Sequence, residues 1–337
     1  MRLPRPTLLV LSLIAASLPA AAQATLPPTP LGTPDPASFY GLLLNQWYVS
    51  VKQVSAGTLI DGTPTQDGSF LTFPTSAATP SRAESGQTVG GKSASALGVA
   101  SATQLGAAAS ARAPLTPDAT GMAAVGYAAL SYWAVLDQDA AVRFNLGLKG
   151  SLSTTGNVAL GADATTAGVA VLAHGSEANF SNASQAALFA NAGLDVNAEG
   201  ETLLRQLSVL RPSTQTHLDV FGAQADALHT AVDVDTTLGV TASGTQIQCN
   251  GTEPAPISAV CGRYFYFMNV FLFTGAQNGA AADFSHTLGV DSISINGGPA
   301  QAFNAVSAVP EPGSALLLAA GLGLLGMAAR RRGNGRR

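Results

Sequence analysis

The chain has 337 residues, of which 47% are apolar, but Ala supplies much of that share and aromatics only 6%. Charged residues are 11%, well below the quarter usual in cytosolic proteins; this is the make-up of a Ser/Thr/Gly/Ala-rich surface protein rather than of a cytosolic enzyme. The net charge is −4; taking the seven terminal arginines from 16 basic residues and Glu311 from 20 acids leaves 9 against 19, so the body carries about −10. That balance argues against nucleic acid, which needs a basic patch.

In chain order, residues 1–24 read as a secretory signal peptide. Arg2 and Arg5 form its positive region and Leu8 to Leu18 its apolar region. Ala22-Gln23-Ala24 supplies the small residues that a signal peptidase requires, with cleavage expected after Ala24. The apolar run is short for a retained anchor, and no Cys follows it to make a lipoprotein. Residues 25–36 are a Pro-rich extended linker. A mainly-β body is expected over 37–308, beginning with strand-like sequence at Gln46 to Val54.

Residues 74–121 are low in complexity, dominated by Ala, Ser, Thr and Gly. Periodicity leaves two readings open, a flexible insert or weak, polar strands. Inside this stretch Gly86 to Ser93 (GQTVGGKS) matches the phosphate-binding loop pattern letter for letter. Such a loop joins a buried strand to a helix N-terminus. Here the preceding residues are polar and carry Pro74 and Pro80, so the match is read as incidental.

Strand signals improve from about Tyr127. Val142, Phe144, Leu146 and Leu148 alternate with Arg143, Asn145, Gly147 and Lys149, one buried and one wet face. The segment 183–207 is the best helix candidate, interrupted by Gly193 and Gly200. Val232 and Val234 alternate with Asp233 and Asp235. Tyr264 to Phe273 is apolar on both faces and reads as a central strand covered on each side. Ile293 and Ile295 mark a late strand. Short strands bounded by Gly, Asn and Pro predict a β-sandwich-like body with a short helical segment.

Few residues suggest chemistry. Cys249 and Cys261 enclose a short Gly- and Pro-bearing loop. In an exported chain they are expected to form a disulfide; no His lies between them for zinc, and the spacing is not CxxC. His174, His217, His229 and His286 form no close metal pair. His217 and Asp219 are two apart on a predicted strand, hence on one face, a conceivable dyad. Asp137 with Asp139, and Asp233 with Asp235, offer oxygen ligands for calcium but lack the EF-hand spacing. No cofactor or metal is predicted, and no catalytic residue.

The C-terminus carries the sharpest pattern. Pro310-Glu311-Pro312 precedes an apolar run, 315–329, and then Arg330, Arg331 and Arg332. As a helix the run is ~22 Å long, short for the ~30 Å core of a bilayer. The arginines place the body outside and the chain end in the cytoplasm.

This order of features resembles the PEP-CTERM sorting signal of Gram-negative bacteria. The resemblance covers 309–337 and implies recognition at Pro310, Glu311 and Pro312 by an exosortase, a membrane-embedded cysteine transpeptidase-like enzyme, followed by loss of the tail. Ala282 to Thr287 is also loosely similar to sequence found before such tails, and this brings no catalytic residues. The expected route is export by the secretion machinery and signal peptidase, transient residence in the inner membrane through the C-terminal helix, then the cell surface or extracellular matrix. Exopolysaccharide is a candidate partner there. The expected role is non-enzymatic; the rivals are a secreted hydrolase or carbohydrate-binding module, and a calcium-dependent adhesin.

Overall fold

The computed structural model describes residues 47–72, 81–101, 104–112, 121–155, 165–176, 213–215, 217–226, 228–249, 251, 260–303 and 305–306. The signal peptide, the linker, the helix candidate at 183–207 and the sorting tail lie outside these residues. Those described form sixteen strands and no helix.

Two sheets make the body. The first has nine strands. Its path runs β16 (Ala305–Val306), β1 (Trp47–Ile60), β6 (Met122–Leu136), β13 (Tyr264–Gln277), β8 (Thr166–Ser176), β10 (Leu218–Ala225) and β9 (Ser213–Gln215). Off that path, β2 (Thr63–Thr72) pairs with β1 and β12 (Thr245–Gln246) with β13. The second sheet has seven strands in the order β11 (Ala231–Ala242), β7 (Val142–Thr154), β14 (Ala280–Ile295), β5 (Gln104–Arg112), β4 (Lys92–Ala100) and β3 (Ser81–Val89), with β15 (Gln301–Ala302) on β14. All pairings are antiparallel except β16 on β1.

The predicted strands are present. Val142, Phe144, Leu146 and Leu148 are buried while Arg143 and Lys149 are exposed, because successive side chains point to opposite faces. β13 is central, hydrogen-bonded to β6 and β8, and nearly every residue along it is buried. Tyr266, Met268, Val270 and Leu272 join the core shared with the second sheet. On the alternate positions Phe265 stacks on Trp133 (ring centroids 5.5 Å) and meets Phe267 edge-on (4.4 Å).

Most of the described part of the stretch left open by periodicity is strand: β3, β4 and β5 are one side of the second sheet. Ala83, Ala94, Ala96, Ala100, Ala107, Ala109 and Ala111 face the core. One methyl adds only about 0.8 kcal/mol on burial, so this half relies on close approach of the sheets. A Cβ on Gly98 would overlap the Tyr127 carbonyl oxygen and lie 2.9 Å from that of Ser55; one on Gly126 would lie 2.6 Å from that of Ala108. Only glycine lets the backbones come this near.

Side chains close both long sides of the sandwich. On one, Glu84 N–H donates to Asp67 Oδ2 (2.8 Å) and Gln87 Nε2 to Thr63 O (2.9 Å), joining β3 to β2. On the other, Gly239 N–H donates to Asp219 Oδ2 (2.7 Å) and His217 Nδ1–H to Thr241 O (2.8 Å), joining β11 to β10. These bonds occupy some of the backbone groups that the edge strands leave open.

At one end of the sandwich Asp61–Gly62 turns the β1–β2 hairpin and Asn278–Gly279 carries the chain from β13 in the first sheet to β14 in the second, with positive φ at both residues of each pair. At the other end the chain changes sheets again. β15 belongs to the second sheet and β16 to the first. Between them Phe303 enters the core against Tyr132 (5.1 Å), Phe144 (6.0 Å) and Trp47 (6.3 Å). Tyr266 ties down the same end: Ala140 N–H donates to its hydroxyl (2.7 Å), which donates to Ala140 O (3.0 Å). Burial pushes that hydroxyl up to about 12.

Candidate functional site

Within the body, the residues singled out from sequence do not converge on one site, and several are engaged by neighbouring backbone or side chains. His217 and Asp219 do share a face, as strand periodicity requires. That face is turned to the second sheet, where both hold β11 backbone groups. His174, on β8 opposite Leu218, has its pKa pushed down to about 4, first by burial and then by His217. The neutral ring is thus favoured. His229 lies at an exposed turn, where Asp226 Oδ1 accepts from the backbone N–H groups of Leu228 (2.8 Å) and His229 (2.7 Å). These bonds, that from His229 foremost, lower the Asp226 pKa. His286 falls in a bulge of β14 between Phe284 and Leu288. Asp283 Oδ1 accepts there from the backbone N–H and hydroxyl of Ser285 (3.2 and 2.8 Å).

The acid pairs proposed for calcium are likewise dispersed. Asp137 pairs with Arg263, whereas Asp139 Oδ1 lies 3.3 Å from the Tyr266 hydroxyl, competing with Ala140 O for its single proton. Asp233 and Asp235 project from β11 into solvent, and Asp235 pairs with Lys149 (3.2 Å). Among the described residues no group of three or more His, Cys, Asp or Glu is placed to hold a metal ion.

The phosphate-loop lookalike is a hairpin. Gly86 to Val89 finish β3, Gly90 and Gly91 make the turn with φ of 57° and 83°, and Lys92 starts β4. Lys92 Nζ pairs with Asp61 Oδ1 (2.6 Å). The strand-to-helix junction that would aim amides at phosphate is absent from these residues, so the incidental reading is correct. Cys249 and Cys261 are bonded, with Cα atoms 5.6 Å apart. The bridge holds the segment beyond β12 to the entry of β13, where Ile247 N–H donates to Arg263 O (2.8 Å) and Gly262 N–H to Ile247 O (2.9 Å).

The functional element with a recognisable identity is therefore the tail. Residues 308–332 match the family model of the PEP-CTERM protein-sorting motif. The match covers Pro310, Glu311, Pro312, the apolar run and Arg330 to Arg332, and begins two residues after β16. This motif implies an exported chain whose C-terminal signal is processed by an exosortase. No curated protein matches the chain. No helix among the described residues is long and apolar enough to cross a membrane; the run 315–329 lies outside them.

Proposed function

We propose that this is a non-enzymatic protein of the cell surface or extracellular matrix, delivered by its tail and displayed as a β-sandwich. The observation that carries this reading is the sorting motif at 308–332 directly following an all-β body. On this reading signal peptidase removes residues 1–24, the run 315–329 holds the chain in the inner membrane, and the exosortase reads Pro310, Glu311 and Pro312. Two prolines stiffen that segment in extended form and remove competing N–H donors, which suits a cleft that binds extended chain. The short apolar run suits a transient span better than a permanent one. The body then joins surface material, with exopolysaccharide as the candidate contact. His217 and Asp219 hold β11 backbone groups, which supports a structural role for that pair.

The test is Glu311→Ala in an exporting cell that carries an exosortase, followed by fractionation and intact mass. Wild type should lose mass corresponding to cleavage between Pro312 and Arg330 and leave the membrane fraction; the variant should keep both mass and location. Identical behaviour would sink the sorting reading. The non-enzymatic part is tested by incubating the purified protein with a panel of polysaccharides. Turnover that one Asp or Glu substitution abolishes would overturn it.

A further inference from the structure

We infer that, while the tail holds the chain in the bilayer, the sandwich stands with the end that carries its C-terminal clip (β15, Phe303 and β16) and the disulfide against the lipid surface and its hairpin end outward. This rests on the reading of 315–329 as the membrane segment and adds an orientation to it.

The geometry follows from where the ordered body stops. β16 lies parallel to β1, with Trp47 opposite Ala305 and Tyr48 opposite Val306. The same edge of β1 is taken by β2 from Val51 onward, which pairs with Thr72. A chain leaving Val306 along β1 has at most two further ladder positions, Val49 and Ser50, before Thr72 occupies the edge at Val51. The ladder on this edge therefore allows the tail no path along the length of β1. Phe303, three residues earlier and only 7% exposed, pins the exit point to the aromatic core.

Covalent reach then limits the separation. Ser307, Ala308 and Val309 alone separate Val306 from Pro310, so the sorting motif begins at most about 14 Å from the body. The apolar run begins nine steps from Val306, at most about 32 Å away. The sandwich is longer than this tether: the fifteen residues of β6 span roughly 50 Å. Trp47 pairs with Ala134 and Ala134 with Tyr266, so the starts of β1 and β13 and the end of β6 share the exit end. Val142 opposite Ile295 places the start of β7 and the end of β14 there too. The rim at this end holds the disulfide, the Asp137–Arg263 pair, Asp139 and the uncharged exposed segment 296–300. The opposite end holds the Asp61–Gly62, Gly90–Gly91 and Asn278–Gly279 turns, with Leu228 and His229. That end reaches the bilayer only if the sandwich lies flat.

The experiment uses the full chain, exported in a host without an exosortase, with a benzophenone amino acid at one position at a time. Gln138 and Ala300 report on the exit end, Thr88 and Leu228 on the hairpin end; all four are exposed. After irradiation of the membrane fraction, lipid adducts are quantified by mass. Adducts at 138 and 300 should exceed those at 88 and 228 about tenfold, since the second pair sits a strand length of roughly 45 Å further out. Equal yields, or a reversed ratio, with the chain still in the membrane fraction, overturn the orientation and leave the tail reading intact. A chain missing from the membrane fraction overturns both. A 20-residue Gly/Ser insertion after Val306, with a mean reach of about 25 Å of its own, should erase the contrast. A contrast that survives it would show surface affinity rather than tether geometry, and would also overturn the inference.

Discussion

Phe303→Ala tests whether the C-terminal clip is part of the cooperative core. Phe303 is the only large side chain that the six residues 301–306 place in the core among those described, and three rings surround it at 5.1 to 6.3 Å. Truncating a buried Phe to Ala costs about 3–5 kcal/mol, with the lower end applying where the site can collapse. The clip is short and can shift inward, so the expected loss is about 3 kcal/mol. Part of that, roughly 0.5–1.5 kcal/mol for each well-placed ring pair, is edge-to-face attraction. Phe303→Leu, which keeps most of the volume, should lose only about 1 kcal/mol. The assay is guanidinium unfolding of the full chain in mild detergent, followed by Trp emission. Trp47 touches Phe303 directly and so reports on both the site and the global transition. A loss below about 1 kcal/mol for Phe303→Ala would refute the reasoning, because the clip would then open without the sandwich noticing.

Reducing Cys249–Cys261, or replacing both with Ser, should destabilise the protein by about 3 kcal/mol from the entropy of a loop this size, the separation being 12 residues; an unchanged melting temperature would count against it. His174 should make stability fall on acidification. Its folded pKa, about 4, is below the ordinary 6.5, so the unfolded chain takes up the proton first. Stability is thus full above about 6.5 and lost towards 4, by up to roughly 3 kcal/mol; denaturation at pH 7 and pH 4.5 should show this slope in wild type and a flatter one in His174→Gln. Gly98→Val should cost at least about 3 kcal/mol or prevent folding, since its side chain meets the backbones of Tyr127 and Ser55; a soluble variant of unaltered melting temperature would contradict the close approach of the sheets. Magnesium-ATP should leave the melting temperature unchanged, and Lys92→Ala should cost no more than about 1 kcal/mol, the worth of its pair with Asp61.

Strands with contrast between their faces were legible in the sequence. Phe144 beside Arg143, and Val234 beside Asp235, announce a wet and a dry side. β13 was legible for the opposite reason, its aromatic residues filling both faces. β3, β4 and β5 were not. In Ala94-Ser95-Ala96-Leu97-Gly98, small residues fall on both faces, so hydrophobicity hardly changes from one position to the next. What marks the dry face there is lack of room, and room is a property of the opposing sheet. The disulfide was legible from two cysteines in an exported chain. The side-chain latches were not: His217 and Asp219 look like a dyad until β11 supplies the backbone groups that occupy them. The tail was the most legible part, because Pro310-Glu311-Pro312, the apolar run and the arginines are read in linear order, and the match at 308–332 agrees. Phe303 carried no signal, since nothing local shows that a lone Phe near the end returns to Trp47.

That return also sets an order of events. Trp47 lies beside Ala305 and Phe303, so the first and last strands among the described residues are neighbours. Pairings this distant in sequence form slowly. A chain threaded outward from its N-terminus cannot close this end until residue 306 has emerged, and by then the apolar run is next in the export channel. Completion of the body and arrival of its sorting signal are therefore nearly simultaneous. A truncation ending before residue 301 should be exported yet stay protease-sensitive, and a protease-resistant product would show that the sandwich closes without its last strand. The last strand to reach the sandwich and the first residues of the address are thus neighbours in sequence, two residues apart.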